Sequence, residues 1–225
     1  MILVKILALE SATESCSVAL LNGTAVHARS QFAPREHAAL LLPMVEALLA
    51  EAGLTLAALD AIAFGRGPGS FTGLRIAAGV TQGLAFAVEL PVLPISTLAA
   101  LAQGAWREQG VPRVAAAIDA RMGEVYWGLY REQDGVMELA GDEGVFAPEQ
   151  VPVPPEEGYV GTGTGWASYG TVMAQRCSVA TYQGGRFPQA VDLLPLAAAA
   201  WRSGLAVDAA QAQPVYLRDK VTHQR

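Results

Sequence analysis

The sequence predicts an α/β fold built from two similar halves, and three observations carry that reading. Short apolar runs alternate with helix-length segments through the first half, the pattern of strands and helices layered on one another. An opening order of apolar strand, carboxylate, polar loop and hairpin, from Ile2 to Ser30, returns from Val114 to Leu139. The 225 residues are 52% hydrophobic and only 16% charged, enough to bury a full core and still leave apolar surface. The repeat is architectural, not residue-identical. It divides the chain at Pro112 into segments 1–111 and 112–225.

The elements follow in order. Ile2 to Leu9 is a buried strand by length and composition, and Glu10 to Ser15 a polar turn. Cys16 to Leu21 and Thr24 to Ser30 are strands joined at Asn22-Gly23. Pro34 to Ala52 reads as a helix with a wide apolar arc. Within it Pro43 forfeits its backbone bond to Ala39 and is expected to kink or restart the helix. Gly53 ends it. Ala61 to Phe64 is a buried strand. Gly65-Arg66-Gly67-Pro68-Gly69 then forces a tight turn, and Ser70 or Thr72 caps the helix that follows.

That helix is apolar nearly all round. Gly73, Ala77, Thr81 and Ala85 recur every fourth residue as a row of small side chains, beside Ile76, Val80 and Leu84. Pro91 to Ile95 is a strand, and Ser96-Thr97 caps a helix to Gln109. Beyond Pro112 come a strand ending at Asp119, another from Glu124 to Arg131, a turn at Asp134-Gly135, and a strand from Val136 to Leu139. Gly141 to Gly158 is a surface connection. Gly161 to Gly165 is a second glycine turn, read as structural. Trp166 to Cys177 and Asp192 to Ser203 are helices. The tail from Pro214 is locally basic, with Arg218, Lys220, His223 and Arg225.

Composition narrows the function. A formal charge of −6 does not suit a stand-alone nucleic-acid binder. The apolar N-terminal stretch, interrupted by Lys5, is too short for a membrane span and lacks a signal-peptide layout. Two distant cysteines, Cys16 and Cys177, fit a reducing cytoplasm and provide no disulfide framework or zinc site.

No motif completes a catalytic set. The turn after Phe64 lacks the Gly-Lys-Ser/Thr of a P-loop, and Ser70 stands where a dinucleotide fingerprint needs glycine. His27, His37 and His223 have no metal-ligand spacing. Gly69-Ser70-Phe71-Thr72-Gly73 is not a nucleophile elbow, and nothing supports a triad through His37. Cys16 reads as a buried, inert thiol. Glu10 and Asp119, at equivalent places in the two repeats, are expected to face each other across a cleft. They would either hold a magnesium ion beside a phosphate or only cap their loops.

Several stretches resemble one family in order along the chain. They are Ile6 to Leu20 with Glu10-Ser-Ala-Thr-Glu-Ser; His37-Ala-Ala-Leu-Leu-Leu-Pro43; Phe64-Gly-Arg-Gly-Pro-Gly-Ser-Phe-Thr-Gly-Leu-Arg75; Ile118-Asp-Ala-Arg-Met-Gly-Glu-Val-Tyr-Trp127; and Pro214-Val-Tyr-Leu-Arg218. The family is TsaB (YeaZ). The resemblance implies a two-lobed actin-like, Hsp70-like (ASKHA) fold with duplicated sheet-plus-helix domains. It implies a cytoplasmic, non-catalytic subunit that binds and activates its paralogue TsaD, with TsaE, in threonylcarbamoylation of adenosine 37 in tRNAs reading codons that begin with A. The competing reading is an enzyme: an actin-like nucleotide-dependent phosphotransferase, or a peptidase.

With the resemblance come further expectations. The chain alone has no catalytic residues, metal or cofactor; ATP or ADP sits at the joint interface with TsaD; tRNA is met only through the complex. A vestigial phosphate site comprises Glu10, Gly67, Gly69, Ser70 and Asp119, with Glu10 where the family usually has aspartate. The two over-apolar helices form the partner face, through His37, Leu41, Met44, Val45, Leu48, Gly73, Arg75, Ala77, Val80, Thr81 and Leu84. That face makes a homodimer in isolation, mutually exclusive with the TsaD contact.

Overall fold

The computed structural model describes residues 4–218. The first half supplies β1 (Lys5–Glu10), β2 (Ser15–Asn22), β3 (Ala25–Phe32), α1 (His37–Ala52), β4 (Ala61–Gly67), α2 (Phe71–Val88), β5 (Val92–Ser96) and α3 (Thr97–Gln109). The second supplies β6 (Arg113–Arg121), β7 (Glu124–Gln133), β8 (Val136–Leu139), β9 (Gly144–Phe146), β10 (Val160–Thr162), α4 (Thr164–Cys177), β11 (Tyr182–Gln183) and α5 (Ala190–Arg202).

Two sheets result, with strand orders β3-β2-β1-β4-β5 and β8-β7-β6-β10-β11. In each, the first strand pairs antiparallel with the second and parallel with the strand that crosses over to its other side. The fold is therefore the duplicated α/β arrangement that the repeat and the resemblance implied.

Strand periodicity assigns the layers, because successive side chains point to opposite faces. Leu7 and Leu9 of β1 meet Leu41, Val45 and Leu48 of α1 and Ala77 and Ala85 of α2. Ile6 and Ala8 point the other way, onto α3 and α5. Those two helices also carry Val114, Ala116 and Ile118 of β6, so they form a middle layer shared by the sheets. On the far face of the second sheet, Ala115, Ala117 and Trp127 pack against Trp166 and Met173 of α4. Within the middle layer Arg107 Nε donates to Asp192 Oδ1 at 2.6 Å, pinning α3 to α5. Although α5 comes from the second half of the sequence, it lies on β1, β2, β4 and β5 of the first sheet.

Several expectations need correction. Residues 34–36 do not begin α1: Arg35 has φ of 71°, incompatible with a helix, and Ala33 O caps a turn by accepting from Glu36 N. α1 runs unbroken from His37 to Ala52 through Pro43, so the helix does not restart there. The proline lies on the exposed side, beside an exposed Ala39, where the freed carbonyl is open to water. β4 also runs on through Gly67 where a turn was expected.

The larger correction concerns the partner face. Leu41, Val45, Leu48, Gly73, Ala77 and Thr81 are buried within this chain, and His37 nearly so. The row of small side chains on α2 faces inward because it lets the helix sit close to the first sheet and the loop after β1. Met44, Val80 and Leu84 are half-buried and Arg75 is exposed. The small residues that do face outward are Gly79, Gly83 and Ala87. By length and composition α2 is apolar enough to cross a membrane; here one side of it lies on a sheet, and Phe86 stands 62% exposed on the other.

Candidate functional site: the cleft between the halves

A cleft of about 850 Å³ separates the two halves. One wall is the loop after β1 (Ala12, Thr13, Glu14), the head of α1 at His37, and the turn from Gly69 into α2. The other wall is Ile118 to Arg121 at the end of β6, Tyr126 of β7, and Thr164 and Ser168 of α4. Both walls arise where strands end and helices begin, the place where open α/β sheets leave room for ligands.

Of the residues expected to form a phosphate site, Gly69, Ser70 and Asp119 line this cleft; Glu10 and Gly67 do not. Gly67 is covered by the tail, with Val215 O standing 2.8 Å from where its Cβ would be, and its N–H donates to Thr97 Oγ1 at 3.2 Å. Glu10 is fully buried. Its Oε1 accepts from Ala12 N–H at 2.6 Å, while Oε2 has no partner. The carboxylate fills the space above Gly65, where a Cβ would lie 2.0 Å from Oε2. Glu10 and Asp119 therefore do not face each other.

Asp119 behaves as a loop-capper. Its Oδ1 accepts from Arg121 N–H at 2.7 Å and its Oδ2 from Ser168 Oγ at 3.0 Å. Arg121 Nη1 lies 3.6 Å from Oδ2 and its Nη2 reaches Glu14 across the cleft at 3.1 Å. Among the described residues, no three of His, Cys, Asp and Glu gather as metal ligands. Burial pushes the thiols of Cys16 and Cys177 up to about 11, so neither is a ready nucleophile at neutral pH.

Burial likewise raises the Glu10 carboxyl to about 7, against the opposing pull of the Ala12 and Ser11 amides. The sign follows from proton counting. Between 4.5 and about 7 the native state holds a proton that the unfolded chain releases, so stability falls as pH rises through that window. Fully ionised, Glu10 costs on the order of 3 kcal/mol. Glu10→Gln should remove that slope. Its urea midpoint, measured against pH, should gain on the wild type as pH rises through the window; parallel curves would refute the assignment.

The tail adds Tyr216 and Arg218 to the lining of the cleft. Val215 N–H donates to Arg66 O at 2.8 Å, and Arg75 Nε donates to Tyr216 OH at 3.1 Å. The Arg75 guanidinium lies 3.5 Å above the Phe71 ring, so a residue expected to anchor a partner is already engaged by its own chain. Arg218 donates to Ala120 O at 3.1 Å and pairs with Glu124. Lys220, His223 and Arg225 lie outside the described residues. Sequence reasoning gave Thr164 and Ser168 no role. Their signal is spatial only, whereas Thr13, Glu14 and Tyr216 lie within stretches that resemble the family, with no role assigned to them there.

Comparison with known proteins agrees with this architecture. A family model described as "TsaD: tRNA N6-adenosine threonylcarbamoyltransferase" matches residues 25–220. The tRNA threonylcarbamoyladenosine biosynthesis protein TsaB of Escherichia coli is 44% identical, covering 98% of this chain and 97% of its own. The protein of that name from Haemophilus influenzae is 40% identical over 98% and 96%. The solved structure of YeaZ from Pseudomonas aeruginosa superposes with a TM-score of 0.92 at 56% identity, covering 95% of this chain and all of that one.

Proposed function

Because the chain belongs to the TsaB (YeaZ) family, we propose that it is a non-catalytic subunit. In this reading it binds and activates TsaD, together with TsaE, for threonylcarbamoylation of adenosine 37 in tRNA. The observation that carries the reading is the position of Glu10. The acid at the end of β1 is the one that phosphate- or metal-handling relatives are expected to turn toward their ligand. Here it is sealed behind the cleft wall against Gly65, and the cleft's own acids, Asp119 and Glu14, are both held by Arg121.

The partner face in this proposal is the outer surface of α1 and α2. Leu42 and Phe86 are exposed there, with Met44, Val80 and Leu84 half-buried. Gly79 and Gly83 have nothing within 4 Å of where a Cβ would stand, so a partner helix can approach closely. Exposed apolar side chains beside such small residues suit a protein–protein contact. It makes a two-fold dimer when the chain is alone, and TsaD uses the same face in the complex. ATP or ADP belongs to that joint interface, tRNA is met only through the complex, and the setting is the cytoplasm.

The test is co-purification with TsaD, with ATP and peptide hydrolysis measured on each subunit alone. The expected result is a complex, and no turnover by this chain. Turnover by the purified chain that Ser70→Ala abolishes would favour the enzyme reading.

A further inference from the structure

The segment Pro214–Arg218 has no helix or strand of its own, yet its two ends are tied to different halves of the molecule. On the first half, Val215 N–H donates to Arg66 O at 2.8 Å, and Val215 O stands over Gly67. Tyr216 OH accepts from Arg75 Nε at 3.1 Å. The Arg75 guanidinium lies 3.5 Å from the centre of the Phe71 ring and 5.9 Å from that of Tyr216. Two residues further on, Arg218 reaches the second half. Its Nη1 donates to Ala120 O at 3.1 Å, its Nη2 to Arg121 O at 3.4 Å, and it pairs with Glu124.

Arg218 grips a strained turn. At the tip of the β6–β7 hairpin, Arg121, Met122 and Gly123 have φ of 63°, 58° and 80°. Left-handed backbone is unfavourable for a residue with a side chain, and it persists only where its surroundings fix it. Among the described residues, Glu14 and Arg218 reach this tip from outside the hairpin. Glu14 meets an Arg121 side chain that is 73% exposed, and so open a pair contributes little. The Arg218 side chain is 16% exposed, and its planar fork holds two tip carbonyls at once. Arg218 is the stronger constraint.

The other end of the segment shares a residue with the proposed partner face. Phe71, Arg75, Gly79 and Gly83, four apart, lie on the exposed side of α2. Arg75 therefore belongs to that face and to the tail's anchorage together. A protein lying along α2 competes with Phe71 and Tyr216 for the same guanidinium.

We infer that Pro214–Arg218 is a strap that couples the outer face of α2 to the β6–β7 tip. With Arg75 held by Phe71 and Tyr216, the strap is taut, Arg218 is seated and the tip is fixed. A protein that takes Arg75 for itself slackens the strap and releases the tip on the opposite wall of the cleft. The coupling is a property of this chain alone; that the protein is TsaD rests on the reading above.

Amide relaxation measured by NMR on the full chain tests the coupling. In the wild type, Met122 and Gly123 are expected to be ordered, with order parameters of about 0.85, and Arg218→Ala should drop them below about 0.6. Arg75→Ala, on the opposite wall, should also lower them and move the Met122 and Gly123 amide shifts. Combined with Arg218→Ala it should add nothing, because both act through one strap. Unchanged β1 amides report an intact fold. TsaD added to the wild type should reproduce the Arg75→Ala pattern. A tip that is mobile in the wild type, stays ordered in Arg218→Ala or is unmoved by Arg75→Ala would overturn the inference. So would TsaD that binds and leaves the tip unchanged. If TsaD does not bind, the subunit reading fails and Arg75→Ala decides the coupling.

Discussion

Replacing Gly73 by alanine should destabilise the protein by on the order of 3 kcal/mol. A Cβ at Gly73 would stand 2.0 Å from Ser11 O, a backbone atom that cannot swing aside. Gly73 is also held by its neighbours: its own carbonyl accepts from Ser11 Oγ at 2.9 Å. Nearby, Ser70 N–H donates to Ala12 O at 2.7 Å. The head of α2 is thus docked on the loop after β1, and an added methyl must push the two apart. Gly79 on the same helix gives the contrast. It has nothing within 4 Å of its Cβ position, so Gly79→Ala should gain about 0.5–1 kcal/mol from helix propensity and a less flexible unfolded chain. Urea unfolding of the two variants reads both signs. Equal effects would mean that α2 does not dock as described.

Ala77→Glu and Val80→Glu, three residues apart on α2, should fail in different ways. Ala77 is fully buried between α2 and the first sheet. A glutamate there leaves an unpaired charge in the core, at a cost of roughly 3–5 kcal/mol, comparable with the whole stability of many domains. The chain should unfold or become insoluble. Val80 is only half-buried, at the edge of the core cluster and next to the exposed Gly79. Its glutamate can reach water in the monomer and is trapped only when a partner covers the face. Val80→Glu should therefore keep a native circular dichroism spectrum while self-association weakens more than about tenfold. Light scattering with a TsaD pull-down reads this. A Val80→Glu protein that stays dimeric would refute the proposed face. One that dissociates yet keeps full TsaD binding would refute a shared face.

The two substitutions also mark where local pattern stops being informative. A helix with apolar side chains on several faces carries no internal sign of which face is covered. The row Gly73, Ala77, Thr81 and Ala85 looked suited to an approaching partner helix. It is suited to close approach, but the surface approached belongs to the same chain. The outward row of Gly79, Gly83 and Ala87 has no local signature, being embedded among larger apolar residues. Arg75 looked like a free anchor because Tyr216, more than a hundred residues away in sequence, is invisible to any local window.

What the sequence by itself determined is the larger elements and their duplication; the short strands β9, β10 and β11 carry no pattern of their own, β9 falling in a stretch read as a connection and β10 running into one read as a glycine turn. Apolar runs of strand length, the Asp134-Gly135 hairpin, the Ser70 and Ser96 caps and the Gly53 stop are local statements about backbone preference, and local chemistry decides them. The tertiary structure alone decided which carboxylate meets the cleft. Glu10 and Asp119 stand at matching places in the two repeats, yet β4 brings Gly65 against Glu10 and leaves a space only that carboxylate fills. Asp119 instead has Ser168 and Arg121 within reach and stays at the cleft surface. A carboxylate's role follows from the neighbours that remove or retain its water, and those neighbours arrive from distant strands and helices.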